Sequence, residues 1–280
     1  MKTLFLSLLL FISVNAQSEL LTLFADDGIT YSAEAQQYFD RLPTAIPDDT
    51  LTFYAEFIDS MVSRNYWDRV DEMWWIANKT VLNALIGLKG LSDADTNGAY
   101  TFTPYQGLAG NGSTGYINTG FNPSTATNFK QNTSTFGVYS RTNSEAAVTD
   151  MGVSDGTNYT ALQIRKATNI IRGWCNQGVA TTSPANTTSL GFFTVTRIGA
   201  NAWFNAKNGS NLTGGTQAST AIPNFNLYIC AQNASNTASA FSTREYSFAM
   251  VGDDFSLPEQ VIITGFIETL LDHLGVGVIP

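Results

Sequence analysis

The chain has 280 residues, with 14 Lys+Arg against 23 Asp+Glu and a net charge of −9. Only 13% of positions are charged, about half of what soluble domains usually carry, whereas 34 Thr, 23 Asn, 23 Gly and 22 Ser fill 102 positions. So little basic charge excludes a phosphate-gripping face for nucleic acid. A content of 44% hydrophobic and 12% aromatic residues excludes a chain kept disordered by self-repulsion.

Residues 1–16 form a signal-like hydrophobic segment. Lys2 precedes an apolar run from Leu4 to Val14, and Val14-Asn15-Ala16 places small residues before a cleavage point between Ala16 and Gln17. The run is shorter than the roughly 20 residues that span a bilayer. Export is the expectation; the alternative is an uncleaved arm packed on a neighbouring subunit.

Residues 17–91 read as a helical segment. Ser32 caps a short helix that stops before Pro43, and Asp48 or Asp49 opens a second with Leu51, Tyr54, Ile58 and Met61 at helical spacing. Asn65 is positioned to cap a third carrying Val70, Met73, Trp74 and Ala77, and a short fourth runs from Val81 to Ile86. Glu56, Asp59, Asp68, Asp71 and Glu72 fall between the apolar positions, as on a solvated helix face. Trp74-Trp75 reads as a buried anchor for these helices in preference to a ligand platform.

From residue 92 to 255 the period shortens to two. Candidate strands are Tyr100–Phe102, Tyr116–Phe121, Phe136–Ser140, Ala147–Gly152, Tyr159–Arg165, Ile170–Cys175, Leu190–Ile198, Ala202–Ala206, Phe225–Ala231 and Tyr246–Val251. Asp155-Gly156 and Asn208-Gly209 suit two-residue hairpin turns, which need positive φ. Many short strands without interleaved helices predict a mainly β fold, an antiparallel sandwich or jelly roll.

Residues 256–280 supply a closing helix. Ser256-Leu257-Pro258-Glu259 is a capping box with proline in the first turn, followed by the stripe Ile263, Phe266, Ile267, Leu270, Leu271 and Leu274, with Gly275 at the end. Its expected place is against the helical segment, outside the sandwich.

Charge divides along the same lines. Residues 1–97 carry 6 basic and 14 acidic side chains, residues 98–240 carry 7 and 3, and residues 241–280 carry 1 and 6. The β block is therefore slightly basic between two acidic flanks.

The stretches YWDRVDEMWWIAN, GLAGNGSTGYINTGFNPST and GVYSRTN, and the helix ending LLDHLGVGV, run in order from about Asp49 to Val278. Together they resemble a family of phage and prophage structural proteins with a concanavalin A-like (laminin G-like) jelly roll behind a small helical region. The segment Gly112–Thr125 carries the resemblance most specifically. It implies a β-sandwich on a virion fibre, spike or tail appendage that meets other virion proteins or a host surface glycan in host attachment, with a purely structural capsid or tail decoration as the alternative. A homo-oligomer, as a trimer, is the accompanying expectation. The signal-like N-terminus departs from the pattern and leaves secretion or cell-surface display as the alternative location.

Catalytic chemistry finds little footing. The single histidine, His273, lacks partners for a zinc site or triad. A retaining glycosidase needs two carboxylates about 5 Å apart, and between residues 98 and 240 the β block offers only Glu145, Asp150 and Asp155. Asp150 and Asp155 read as turn residues. No enzyme and no required cofactor are expected. Calcium could only use Asp253-Asp254 or Asp150 with Asp155, and neither resembles an EF-hand loop. Cys175 and Cys230 each sit on a candidate strand and read as buried small hydrophobes or as a pair. For ligand binding the candidates are Trp203, Asn205 and Asn208 on one hairpin, followed by Tyr139, Arg141 and Asn143, because saccharide sites combine an exposed aromatic face with amide and hydroxyl groups.

Overall fold

A computed structural model describes residues 31–178 and 183–280; the signal-like segment and the Ala16–Gln17 junction lie outside them. The compact unit Glu34–Pro280 carries the elements that follow.

Helices α1 (Ala33–Phe39) and α2 (Asp48–Ser63) come first. Asp48 and Asp49 occupy the first turn of α2, where they complement the helix dipole, and Tyr54, Phe57, Ile58 and Met61 form its buried stripe. The third expected helix is instead strand β1 (Val70–Trp75), paired with the last strand of the chain through Trp74↔Ala249 and Trp75↔Phe248. All six of its residues are buried. A strand covered on both faces loses the alternation that marks strands in sequence, and this is why VDEMWW reads as helical. Trp74 enters the core between the sheets. On the other face Trp75 packs 4.9 Å from Phe57 and 4.7 Å from Phe248, ring centre to ring centre.

Asp71 and Glu72 are consequently not on a solvated face; they are 1% and 0% exposed. Asp71 accepts backbone N–H bonds from Thr127, Asn128 and Phe129. Glu72 accepts them from Met73, Lys89, Leu91 and Ser92. Each carboxylate thus folds a distant loop onto β1. Burial drives the Glu72 carboxyl above its ordinary range against the pull of those amides. Glu56 and Asp68 are exposed, as expected.

After a single helical turn, α3 (Val81–Ala84), the strands follow: β2 (Asp95–Asn97), β3 (Tyr100–Thr103), β4 (Gly107–Gly110), β5 (Tyr116–Asn118), β6 (Ser134–Ser140), β7 (Met151–Ser154), β8 (Tyr159–Lys166), β9 (Ile170–Gln177), β10 (Gly191–Arg197), β11 (Ala202–Lys207), β12 (Ser210–Thr216), β13 (Tyr228–Ile229), β14 (Gln232–Ala234), β15 (Thr237–Ser239) and β16 (Glu245–Gly252). They form two eight-stranded sheets. The first runs β12-β11-β10-β6-β16-β4-β3 with β1 beside β16; the second runs β15-β14-β7-β13-β5-β2, with β8 on β7 and β9 on β8. Every pairing is antiparallel except β14 with β7. The chain is thus a mainly β sandwich, with its core drawn from both sheets: Phe136, Val138, Phe193, Val195 and Val251 meet Met151, Val153, Leu162, Ile164, Ile171 and Ile229.

Helix α4 (Leu257–His273) closes the chain. Ser256 N–H donates to the Glu259 carboxylate, completing the capping box, and Gly275 ends the helix at φ 71°. The helix touches α2, where His273 stacks on Phe53 at 3.6 Å. It also lies on the outer face of the first sheet, where Gln260 Oε1 accepts from Thr194 and Gln260 Nε2 donates to Thr196.

Candidate functional site

The residues singled out from sequence do not converge. Trp203 is 4% exposed and Asn205 0%; both project from the face of β11 turned toward the second sheet, since alternate residues of a strand share a face. Trp203 is therefore no open stacking platform. The Asn205 side chain lies where a Cβ on Gly173 would come within 2.1 Å of its Oδ1. Asn208 and Gly209 do form the β11–β12 turn, at φ 52° and 74°, but Asn208 Oδ1 is taken by the Phe192 amide at 2.8 Å.

Tyr139 is buried beneath α4. Its hydroxyl donates to Glu268 at 2.6 Å and accepts from Val278 N–H at 2.8 Å. Arg141 pairs with Glu245 at 2.6 Å, and Asn143 Oδ1 accepts from Arg165 and the Ser189 amide. These side chains hold the fold together, and their partners are elements that local sequence does not reveal.

Asp150 and Asp155 also part company. Asp150 is fully buried against Arg244, not at a turn. Asp155 does serve a turn, of four residues instead of two, accepting from the Thr157 and Asn158 amides. Burial opposes ionisation of Asp155, but the hydrogen bonds from Asn158 and Thr157 together outweigh it and hold the carboxyl below its usual range. Asp253 faces Arg69 at 3.8 Å. Among the described residues no three His, Cys, Asp or Glu side chains gather as metal ligands. Cys175 and Cys230 are both buried and unpaired, and burial raises their thiols to about 11 and about 12.

A different surface has the makings of a site. On the outer face of the second sheet a cleft of about 370 Å³ is lined by Tyr159, Ala161, Gln163, Lys166, Arg172, Trp174, Gly178 and Gln232. Strand alternation builds it. In β8, Thr160, Leu162 and Ile164 are buried inward, which turns Tyr159, Ala161 and Gln163 outward. In β9, Ile171 and Cys175 enter the core, which turns Arg172 and Trp174 outward.

The pairing registers supply the shape. Trp174 lies opposite Ala161, Ala161 opposite Gly152, and Gly152 beside Gln232. One row across four strands therefore reads tryptophan, alanine, glycine, glutamine: Ala161 forms the floor beside the aromatic wall, and the Thr149 methyl sits over Gly152. Tyr159 closes one end, its ring 6.2 Å from that of Trp174 and tilted by 38°. Gln163, opposite Arg172, opens the other end toward Lys166. Register shifts on both sides of Ala161–Gln163 bend the hairpin.

The polar groups of the cleft are held in place. Gln232 Nε2 donates to Ser154 Oγ at 2.8 Å, and Arg172 Nε to Ser183 Oγ at 2.8 Å. Gln163 Oε1 is shielded from solvent and has no hydrogen-bond partner among the described residues. Beneath the cleft, Arg197 is fully buried and donates to the carbonyls of Cys175 and Gln217 at 2.7 and 2.9 Å, tying β9 to the first sheet. Burial lowers its guanidinium from the ordinary value.

A second cleft, of about 330 Å³, adjoins Asp71, Leu91, Phe121 and Asn122. Its polar groups are used internally: Asn122 caps the turn Pro123–Thr125, and Asp71 serves three backbone amides. Much of GSTGYINTGFNPST is thus turn chemistry.

No family model and no curated protein matches the chain. Solved structures share its architecture. A Trypanosoma rangeli sialidase mutant displaying trans-sialidase activity aligns over 83% of this chain and 39% of its own, at 12% identity and a TM-score of 0.51. Domain 4 of a GH43 extracellular arabinanase from Geobacillus stearothermophilus aligns over 70% of this chain and 98% of its own, at 12% identity and a TM-score of 0.48. The binding domain of botulinum neurotoxin serotype D aligns over 71% and 52%, at 10% identity and a TM-score of 0.48. The present chain thus spans well under half of the sialidase and about half of the neurotoxin domain. At such identities the sialidase likeness establishes the β-sandwich fold and nothing finer.

Proposed function

We propose that the chain is a saccharide-binding module that holds its ligand on the outer face of the second sheet and does not cleave it. One observation carries the reading: Trp174 and Tyr159 stand beside a floor formed by Ala161, flanked by the side chains of Gln163 and Gln232. Sugar rings present apolar C–H faces and a rim of hydroxyls, and an aromatic wall with fixed amides answers both. Binding without hydrolysis follows from the cleft's composition, since none of its lining residues is a carboxylate and glycoside cleavage ordinarily needs two.

The setting proposed for the module is a virion appendage, or alternatively an exported cell-surface protein, assembled as a homo-oligomer. The order of motifs from about Asp49 to Val278 supports the first and the N-terminal pattern supports the second. Repeated copies would turn weak single-site binding into avidity. A glycan array probed with the full chain tests the binding function: hits that vanish in Trp174→Ala support it, and hits that survive place the site elsewhere. Mass spectrometry of purified particles and culture supernatant decides the setting, a mature N-terminus at Gln17 favouring export.

A further inference from the structure

We infer, resting on the saccharide-binding reading, that the preferred ligand carries an anionic group, a carboxylate or a sulfate, on the sugar residue nearest Gln163. Lys166 and Arg172 both line that part of the cleft, and no carboxylate does. Neither forms an ion pair with any described residue. The three acids between residues 98 and 240 are occupied elsewhere. Glu145 accepts from the Thr168 amide, Asp150 is buried against Arg244, and Asp155 serves its own turn.

The local sign is therefore positive, while the chain's charge of −9 comes from the acidic flanks. Screening confines each charge to its neighbourhood, about 8 Å at physiological salt, so the local pair governs what enters. Arg172 is also oriented. Its Nε is bonded to Ser183 Oγ, which fixes the guanidinium plane, and a planar guanidinium matches carboxylate or sulfate oxygens in a way an ammonium does not. An aromatic wall at one end and an oriented cation at the other fit one face of a charged sugar.

The test measures binding of the full chain to matched polymers by calorimetry: polygalacturonate against its carboxyl-reduced form, and chondroitin sulfate against its desulfated form. The charged member of at least one pair is expected to bind about tenfold tighter, with the advantage shrinking between roughly 50 and 500 mM salt. The pair that discriminates identifies the anion. Arg172→Gln and Lys166→Gln should each reduce that advantage, lowering affinity for the charged member more than for the neutral one, with circular dichroism confirming that each variant is folded. Charged and neutral members binding alike in both pairs would overturn the anionic ligand and leave the saccharide reading standing. Absence of binding to any saccharide would overturn both. Tighter binding of a single-stranded oligonucleotide through Trp174 and Arg172 would overturn both as well.

Discussion

The carboxylate of Asp150 lies 2.6 Å from the guanidinium of Arg244, and the two side chains are 0% and 1% exposed. Asp150 also accepts from the Tyr246 hydroxyl at 2.5 Å and from Ile164 N–H at 2.6 Å. This cluster ties the β7–β8 hairpin under the cleft to β16 of the opposite sheet. Removing one partner strands the other charge in the core, which costs about 3–5 kcal/mol. Arg244→Met and Asp150→Asn should each lose about that much in urea unfolding. The double variant should recover part of the loss, because the stranded charge is then gone. Losses within about 0.5 kcal/mol, the range of ordinary surface substitutions, would show that the pair does not hold the sheets.

Gly173 sets how closely the sheets approach below Trp174. A Cβ there would lie 2.1 Å from Asn205 Oδ1 and 2.7 Å from Val195 Cγ2, and overpacking of this kind costs about 1–3 kcal/mol. Gly173→Ala should lower stability by that amount, and Asn205→Ala in the same chain should restore part of it. Equal stability of Gly173→Ala and the parent would contradict the contact.

Glu268 gives the closing helix a pH dependence. Burial raises its carboxyl above the usual value, and the hydrogen bond from Tyr139 only partly offsets this. A raised folded value means that its contribution to stability is complete below the unfolded value, about 4.3, and is lost as pH rises through the folded value. Thermal unfolding from about pH 4 to pH 7 should show Glu268→Gln losing less stability than the parent over this interval. An identical slope in both proteins would contradict the assignment.

Both thiols are buried and raised by burial. A thiol reagent at neutral pH should leave Cys175 and Cys230 unmodified in the folded protein and should titrate two thiols on denaturation. Fast reaction in the native state, or no free thiol after denaturation, would contradict the packing.

Sequence reveals the elements whose signals are local. Ser256, Pro258 and Glu259 mark the start of α4, and Asn208-Gly209 marks its hairpin. In β9, IIRGWCNQ alternates Ile171, Gly173 and Cys175 inward with Arg172 and Trp174 outward, so half of the cleft was legible there. In AWFNAK of β11 four of six positions are apolar and each face carries an aromatic, Trp203 or Phe204, so period two alone does not say which face is open; Trp203 faces inward because the second sheet covers it. The roles of Asp71, Glu72 and Asp150 were illegible for another reason. Their partners, residues 127–129, 89–92 and 244, are brought to them only by the sandwich topology.

The central claim is that Trp174 forms the wall of a saccharide site. Isothermal titration of an array-identified saccharide into the parent chain, Trp174→Ala and Trp203→Ala tests it most directly, with circular dichroism confirming that each is folded. The account predicts at least about a tenfold loss of affinity for Trp174→Ala, roughly 1.4 kcal/mol, and an unchanged affinity with reduced stability for Trp203→Ala. Parental affinity in Trp174→Ala, or loss confined to Trp203→Ala, would contradict it.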